Sequence, residues 1–184
     1  MSIESVRAFF AAKAPDLSII ELDQSTATVE LAARHHDVEP GQIAKTLSLR
    51  VGGREMLVVT CGDTRLDSKK AKAVFGGRIK MLPADEVAAI TGHPVGGVCP
   101  FGLARPLPVY CDVSLRAYDE VLPAAGSTHS AVRISPQRLA QLVDAEWVDV
   151  CSRPTRAAVP LAARDDDLFQ VGVDLDEVAP KNPQ

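Results

Sequence analysis

The chain has 184 residues, of which 46% are hydrophobic and 24% are charged, and its formal net charge is −4 at pH 7. This length suffices for one buried core and is too short for two full-sized domains. The charge balance excludes a disordered polyelectrolyte and a strongly basic nucleic-acid-packing protein, so any contact with RNA must be local.

The first part of the chain alternates between helix and strand signals. Residues 7–13 are good helix formers, and residues 17–22 are rich in residues that favour strands. Ser25 or Thr26 can cap a helix that continues to about Asp37. The chain therefore opens with a helix, a strand and a second helix.

A hairpin is predicted in the centre of the sequence. Gly52-Gly53 separates two strand candidates, residues 43–51 and residues 56–61. The fold should therefore contain a central antiparallel pair.

Two further helices are predicted around a short strand. Asp67 or Ser68 can cap a helix over residues 69–75, and residues 78–82 favour a strand. Residues 83–91 then favour a helix that begins with proline and has acidic residues near its positive end.

The remaining elements follow a glycine- and proline-rich stretch. A last helix is predicted after Ser135, with Pro136 at its first position. Four segments are strand candidates: 109–111, 120–122, 130–134 and 147–150. The central hairpin argues against an all-parallel sheet, so the pattern predicts a single α+β domain with a mixed, largely antiparallel sheet flanked by helices.

The character of the sequence changes near its end. Residues 1–152 form the predicted domain, and residues 153–184 are proline-rich and acidic, which is typical of a flexible extension. Apolar residues alternate at period two within residues 169–175, so a short strand docked on a sheet edge is the alternative.

The sequence shows no targeting or metal-binding pattern. It lacks the basic and apolar run of a signal peptide, and no segment reaches the roughly 18 apolar residues of a membrane span. Its four cysteines form no C-x-x-C pair. We therefore expect a cytoplasmic protein with reduced thiols, no metal, no cofactor and no membrane contact.

Lys45 lies in an apolar row. Period two places it on the same strand face as Ile43, Leu47 and Leu49. Either the strand begins after Lys45, or its stem extends to the sheet edge, or the lysine is a cation at the mouth of a pocket.

The loop at residues 96–102 allows a ligand to approach the backbone, because glycine has no Cβ and proline stiffens the turn. An ordinary tight loop is the alternative, and a phosphate-binding loop is excluded because the G-x-x-x-x-G-K-[ST] pattern is absent. Cys99 in this loop is a candidate nucleophile, but no base is evident beside it in the sequence.

Other polar residues give weaker signals. His129 follows Ser127-Thr128, but adjacency in sequence does not make a triad, and a surface turn is the alternative. His35 and His36 lie near a helix C-terminus, and we assign them no catalytic role.

Basic residues are concentrated between Arg65 and Lys80, where Asp67 is the one acidic residue. Lys69, Lys70 and Lys72 are the candidate contacts for tRNA phosphates, with an ordinary solvated helix face as the alternative. Few aromatic residues accompany them, so base stacking along a single strand is not indicated.

Four motifs, taken in order, resemble the YbaK family, which includes the editing domain inserted in prolyl-tRNA synthetases. They are QIAKTL at 42–47, LDSKK at 66–70, GGVCPFG at 96–102 and AGS at 125–127. The resemblance covers roughly residues 2–150. Cys99 departs from the serine or other small residue that is commoner there, which leaves the backbone role of the loop intact.

This resemblance implies a barrel-like sheet and hydrolysis of mischarged aminoacyl-tRNA, commonly tRNA for proline that carries cysteine, alanine or another small residue. It implies neither metal nor cofactor, and prolyl-tRNA synthetase becomes a second candidate partner beside aminoacyl-tRNA. DNA is not a candidate. Lys45 would hold the terminal adenosine, and the loop would seat the aminoacyl group through its backbone, with Gly96, Gly97 and Pro100 as its catalytic positions. The expected substrate-binding residues are Thr46, Val98, Cys99, Phe101, Gly126 and His129.

Because an aminoacyl ester is already activated, positioning and oxyanion stabilisation are sufficient for its hydrolysis, and water is the expected attacker. A cysteinyl substrate could instead attack with its own thiol. Two other functions stay open: a non-catalytic module of the same fold that binds tRNA or an aminoacyl-like ligand, and a hydrolase that uses Cys99.

Overall fold

The computed structural model describes residues 2–153, which contain five α-helices and ten β-strands. The helices are α1 (Ser2–Lys13), α2 (Val29–His36), α3 (Ser68–Phe75), α4 (Ala84–Thr91) and α5 (Pro136–Leu142). The strands are β1 (Ile19–Glu21), β2 (Ile43–Val51), β3 (Arg54–Cys61), β4 (Arg65–Leu66), β5 (Ile79–Met81), β6 (Val109–Asp112), β7 (Leu122–Pro123), β8 (Ser130–Val132), β9 (Glu146–Val148) and β10 (Cys151–Ser152). The predicted strand at residues 169–175 lies outside this range.

Side-chain caps fix the starts of α3 and α5, as expected from their sequences. Asp67 accepts hydrogen bonds from two backbone amides at the start of α3, and Ser135 caps α5. The predicted cap of α2 was wrong, because Thr28 caps this helix. The hydroxyl of Thr26 instead donates to the carbonyl of Thr128 at 3.1 Å.

The main sheet has the strand order β5-β2-β3-β6-β9, and β7 also pairs with β2. The predicted hairpin is confirmed, because β2 and β3 are antiparallel and meet at a turn over Gly52-Gly53. The pairs β2–β7, β3–β6 and β6–β9 are parallel. The α+β class and the mixed sheet are therefore confirmed, although antiparallel pairs do not dominate this sheet.

The main sheet is open. Its hydrogen-bonded path ends at β5 and β9 within the described residues, so the strands do not close into a barrel. Two small antiparallel sheets, β1–β8 and β4–β10, lie beside it.

One edge of β2 has a gap between two partner strands. Residues 49–51 pair with β5, and residues 43–44 pair with β7. The carbonyl of Ser48 points to this edge, because it accepts from Leu82 N at 3.0 Å. Alternate residues of a strand direct their backbone groups to the same edge. Thr46 therefore directs its N–H and C=O into the gap. Within residues 2–153, no strand pairs with Thr46 on this edge of β2.

Both faces of the hairpin are buried. On one face, Phe10 of α1 packs against Phe101 with ring centroids 4.8 Å apart, in a core that includes Leu57 and Val59. On the other face, Phe75 of α3 belongs to a core that includes Val58. The central strand β3 is therefore covered on both faces. None of the helices described here is long and apolar enough to cross a membrane.

Candidate functional site

A cavity of about 260 Å³ lies at the gap in the edge of β2. Its walls come from α2 and the residues just before it, β2, the segment from β5 into α4, the loop that follows α4, and the region of β7 and β8. Most of the wall is apolar, and Lys45 is the lysine among its lining residues. Such a concave, mainly apolar site with few polar groups is typical of small-molecule recognition.

Lys45 belongs to the strand and lines the cavity. The strand β2 begins at Ile43, so the alternative in which it starts after Lys45 is wrong. Its Nζ donates to the carbonyl of Gly62 at 3.1 Å and to the carbonyl of Thr64. Burial lowers the pKa of Lys45. The two carbonyls hold the ammonium group in place, and neither Gly62 nor Thr64 is among the cavity-lining residues.

The glycine loop meets the cavity through two of its residues, Gly96 and Val98. Gly96 has a φ of +88°, and a Cβ there would lie 2.9 Å from the Cβ of Ala27, so the position requires glycine. Alternate residues of the loop, Gly96 and Val98, therefore face the cavity.

Gly97 faces away from the cavity and joins the loop to a neighbouring turn. Its N–H donates to Pro94 O at 2.9 Å, and its carbonyl accepts from Gly126 N at 3.2 Å. A Cβ at Gly97 would lie 2.7 Å from the backbone of Ser127. Gly97 and Gly126 thus position the loop by close backbone packing.

Cys99, Pro100 and Phe101 are buried and are not among the cavity-lining residues. Cys99 and Phe101 belong to the core around α1. Burial raises the pKa of the Cys99 thiol to about 12. The thiol is therefore protonated and shielded from a ligand in the cavity.

The structure places an imidazole beside Cys99 that no sequence motif had indicated. His93 Nε2 lies 3.6 Å from Cys99 Sγ and 2.7 Å from the carbonyl of Phe101. Burial lowers the pKa of His93, so the ring is neutral, and its Nε2–H donates to that carbonyl. His93 therefore has no lone pair at Nε2 to accept the thiol proton.

His129 is exposed, and its Nδ1 lies 2.9 Å from Thr128 Oγ1. It is not part of the cavity lining, whereas the neighbouring Ser130 and Ala131 are. Of the predicted site residues, the structure brings four together around the cavity: Lys45, Thr46, Gly96 and Val98.

Three buried polar atoms in the cavity wall have no hydrogen-bond partner within residues 2–153. They are His36 Nε2, Thr46 Oγ1 and Ser48 Oγ. His36 was assigned no role from the sequence, and Ser48 was not selected. Ser48 lies two residues after Thr46 and therefore on the same face of β2, so the sequence could have indicated it. His36 could not be found in this way, because α2 meets β2 only in the tertiary structure.

The three candidate tRNA-binding lysines are exposed on α3, which does not contribute to the cavity lining. Lys70 is held by an ion pair with Asp149 at 2.8 Å and by the carbonyl of Cys151. Lys69 and Lys72 have no such ion pair among the described residues. The four cysteines are free, buried thiols.

Comparison with known proteins places this fold and site in a family. Residues 23–142 match the family described as the aminoacyl-tRNA editing domain. The chain belongs to this family.

Similar proteins support the same grouping. The uncharacterized protein YwhH of Bacillus subtilis is 43% identical over 153 residues, which is 82% of this chain and 98% of that protein. A protein of Enterococcus faecalis named "Putative Cys-tRNA(Pro)/Cys-tRNA(Cys) deacylase EbsC" is 27% identical over 68% of this chain and 78% of its own length. A crystal structure of "a putative trans-editing enzyme for prolyl tRNA synthetase" is similar with a TM-score of 0.77 and 34% identity, over 82% of this chain and 97% of the other.

Proposed function

We propose that this protein is a deacylase that hydrolyses the ester bond of mischarged aminoacyl-tRNA in the cytoplasm. The observation that carries the proposal is the cavity in which Lys45 and the loop residues Gly96 and Val98 meet. The family match supports the substrate class. The names of two similar proteins favour tRNA for proline carrying cysteine, with prolyl-tRNA synthetase as a partner. The family resemblance extends the proposal to another small residue such as alanine.

The size of the cavity agrees with a small aminoacyl group. Pockets for drug-sized ligands have volumes of about 300–1,000 Å³, and this cavity is about 260 Å³. Such a volume accepts an amino acid and part of the ribose to which it is esterified. The rest of the terminal nucleotide would remain at the mouth.

In the proposed reaction, water attacks the ester carbonyl carbon and the carbonyl oxygen takes up negative charge. The tetrahedral intermediate then collapses, and the ribose oxygen leaves with the proton that the attacking water gives up. The backbone amides of Gly96 and Val98 are the proposed donors to the oxyanion, and Lys45 provides positive charge to the phosphate or ribose of the terminal adenosine. A cysteinyl substrate has its own thiol as an alternative nucleophile. Neither route needs Cys99.

A deacylation panel tests this function. One tRNA for proline is charged in turn with cysteine, alanine, serine, threonine and proline, and the single-turnover rate of ester loss is measured against spontaneous hydrolysis. We expect faster loss of at least one small noncognate residue and no acceleration for proline. Binding of the charged tRNA without hydrolysis would instead support a non-catalytic module of the same fold.

A further inference from the structure

The cavity contains three hydrogen-bonding groups that lack partners in the protein. His36 and Ser48 are 8% and 4% exposed, and their Nε2 and Oγ atoms, like Thr46 Oγ1, are unpaired within residues 2–153. A buried polar atom left unpaired costs about 1–3 kcal/mol, so such atoms are rare unless a ligand or water pairs with them. Three of them in one cavity wall indicate a polar ligand group.

The position of these groups identifies the part of the ligand they face. Met81 and Val95, which also line the cavity, are 58% and 59% exposed and therefore mark its mouth. A tRNA must enter from the mouth, and its aminoacyl group is its terminal group. The buried His36 and Ser48 therefore face the amino-acid end of the substrate.

The charged groups in and around the cavity indicate whether the three unpaired atoms bind the side chain of the amino acid or its α-ammonium group. Burial, with the positive charges of Arg133 and His35, holds the pKa of His36 below its usual value. The side chain of Arg133 also donates to the backbone carbonyl of His36 at 3.3 Å. The cavity-lining residues within the described part of the chain include no aspartate or glutamate, so an ammonium group would find no carboxylate partner there, whereas a neutral hydroxyl can both donate and accept.

We propose that His36, Thr46 and Ser48 form a polar subsite that selects aminoacyl groups with a β-hydroxyl, those of serine and threonine, over alanine. The inference rests on the deacylase function proposed above. A site built to bind a hydroxyl rejects the analogue that lacks it, because its own polar groups are then left unpaired. Cysteine ranks between serine and alanine, since a thiol is a weak donor and acceptor.

The test compares the wild-type protein on one tRNA charged with serine, threonine, cysteine or alanine, so that contacts to the tRNA body cancel. We expect kcat/KM for serine to exceed that for alanine by at least about tenfold. The variants Ser48→Ala and Thr46→Val remove the hydroxyls with little change in volume, and each should reduce the ratio of the serine and alanine rates.

A matched control is Ser130→Ala. Ser130 also lines the cavity, but its hydroxyl is already bonded to Ser127 Oγ at 2.8 Å, so this change should affect both substrates alike. Hydrolysis with alanine equal to or better than serine, or a ratio unaffected by both Ser48→Ala and Thr46→Val, would overturn the subsite and leave the deacylase function standing. Absence of hydrolysis for every charged tRNA would overturn the proposed function together with this inference.

Discussion

At the residue scale, Lys45 of β2 is the charged side chain to which the proposed mechanism gives a role. Lys45 lines the cavity, and its ammonium group is held by the carbonyls of Gly62 and Thr64. We expect Lys45→Ala to lower the single-turnover deacylation rate at least about tenfold, because it removes the positive charge proposed to position the terminal adenosine.

The control for this prediction is Lys13→Ala, which removes an exposed lysine on α1. Melting curves for both variants show whether the loss of two hydrogen bonds at Lys45 has also weakened the fold. A Lys45→Ala protein that is folded and turns over at the wild-type rate would contradict the assigned role.

Cys99 gives a second prediction at this scale. Its buried thiol has a pKa raised to about 12, so we expect Cys99→Ser to retain deacylation and the native protein to resist alkylation at neutral pH. Serine is nearly isosteric, and the carbonyl of Phe101 is within reach as an acceptor. Mass spectrometry after single turnover provides the check. An acyl adduct on Cys99, together with loss of activity in Cys99→Ser, would establish the cysteine hydrolase instead.

At the scale of elements, the glycine loop is held by packing against the turn at residues 126–127. A Cβ at Gly97 would lie 2.7 Å from the backbone of Ser127. We expect Gly97→Ala to lower both the melting temperature and the deacylation rate, because the loop must move away from the turn.

Gly77→Ala is the matched control for the loop. A Cβ at Gly77 would approach Val51 Cγ1 at 3.0 Å, and that neighbour is a side chain that can adjust. Wild-type stability in Gly97→Ala, measured by thermal unfolding, would show that the close packing does not constrain the loop.

The exposed face of α3 gives a prediction about tRNA binding. Lys69 and Lys72 are exposed, whereas Lys70 is paired with Asp149. We expect Lys69→Ala combined with Lys72→Ala to weaken tRNA binding and to reduce the slope of log affinity against log salt by about 0.7–0.9 for each phosphate that the protein no longer neutralises. Lys70→Ala should have the smaller effect, and a slope unchanged in the double variant would exclude this surface.

At the scale of the whole molecule, local signals predicted the elements better than their arrangement. The turn at Gly52-Gly53 predicted the β2–β3 pair because both strands and the turn are adjacent in sequence. The parallel pair β3–β6 brings together segments about fifty residues apart, and no local pattern encodes that partner. The open sheet likewise depends on how distant strands align, so the expectation of a barrel-like closure was not met.

Part of the site was also predictable, because local sequence patterns mark some of its residues. Period two identified Lys45, and the loop motif identified the segment that contains Gly96 and Val98. The motif could not show that Gly97 and Cys99 face protein, because side-chain direction in a loop depends on its packing. His36 was missed because the end of α2 meets β2 only in the folded chain.

The unpaired hydroxyl of Ser48 implies that the protein gives up stability to keep its cavity polar. We expect Ser48→Ala to raise the free energy of unfolding by roughly 0.5–1 kcal/mol and the melting temperature by about 1–4 °C, because a buried unpaired group is removed. Ser130→Ala should shift both quantities the opposite way, since that hydroxyl is paired with Ser127. Equal losses in the two variants, measured by denaturant and thermal unfolding, would contradict this expectation. A screen for thermostable variants would then select replacements at Ser48 and discard the residue on which substrate choice is proposed to depend.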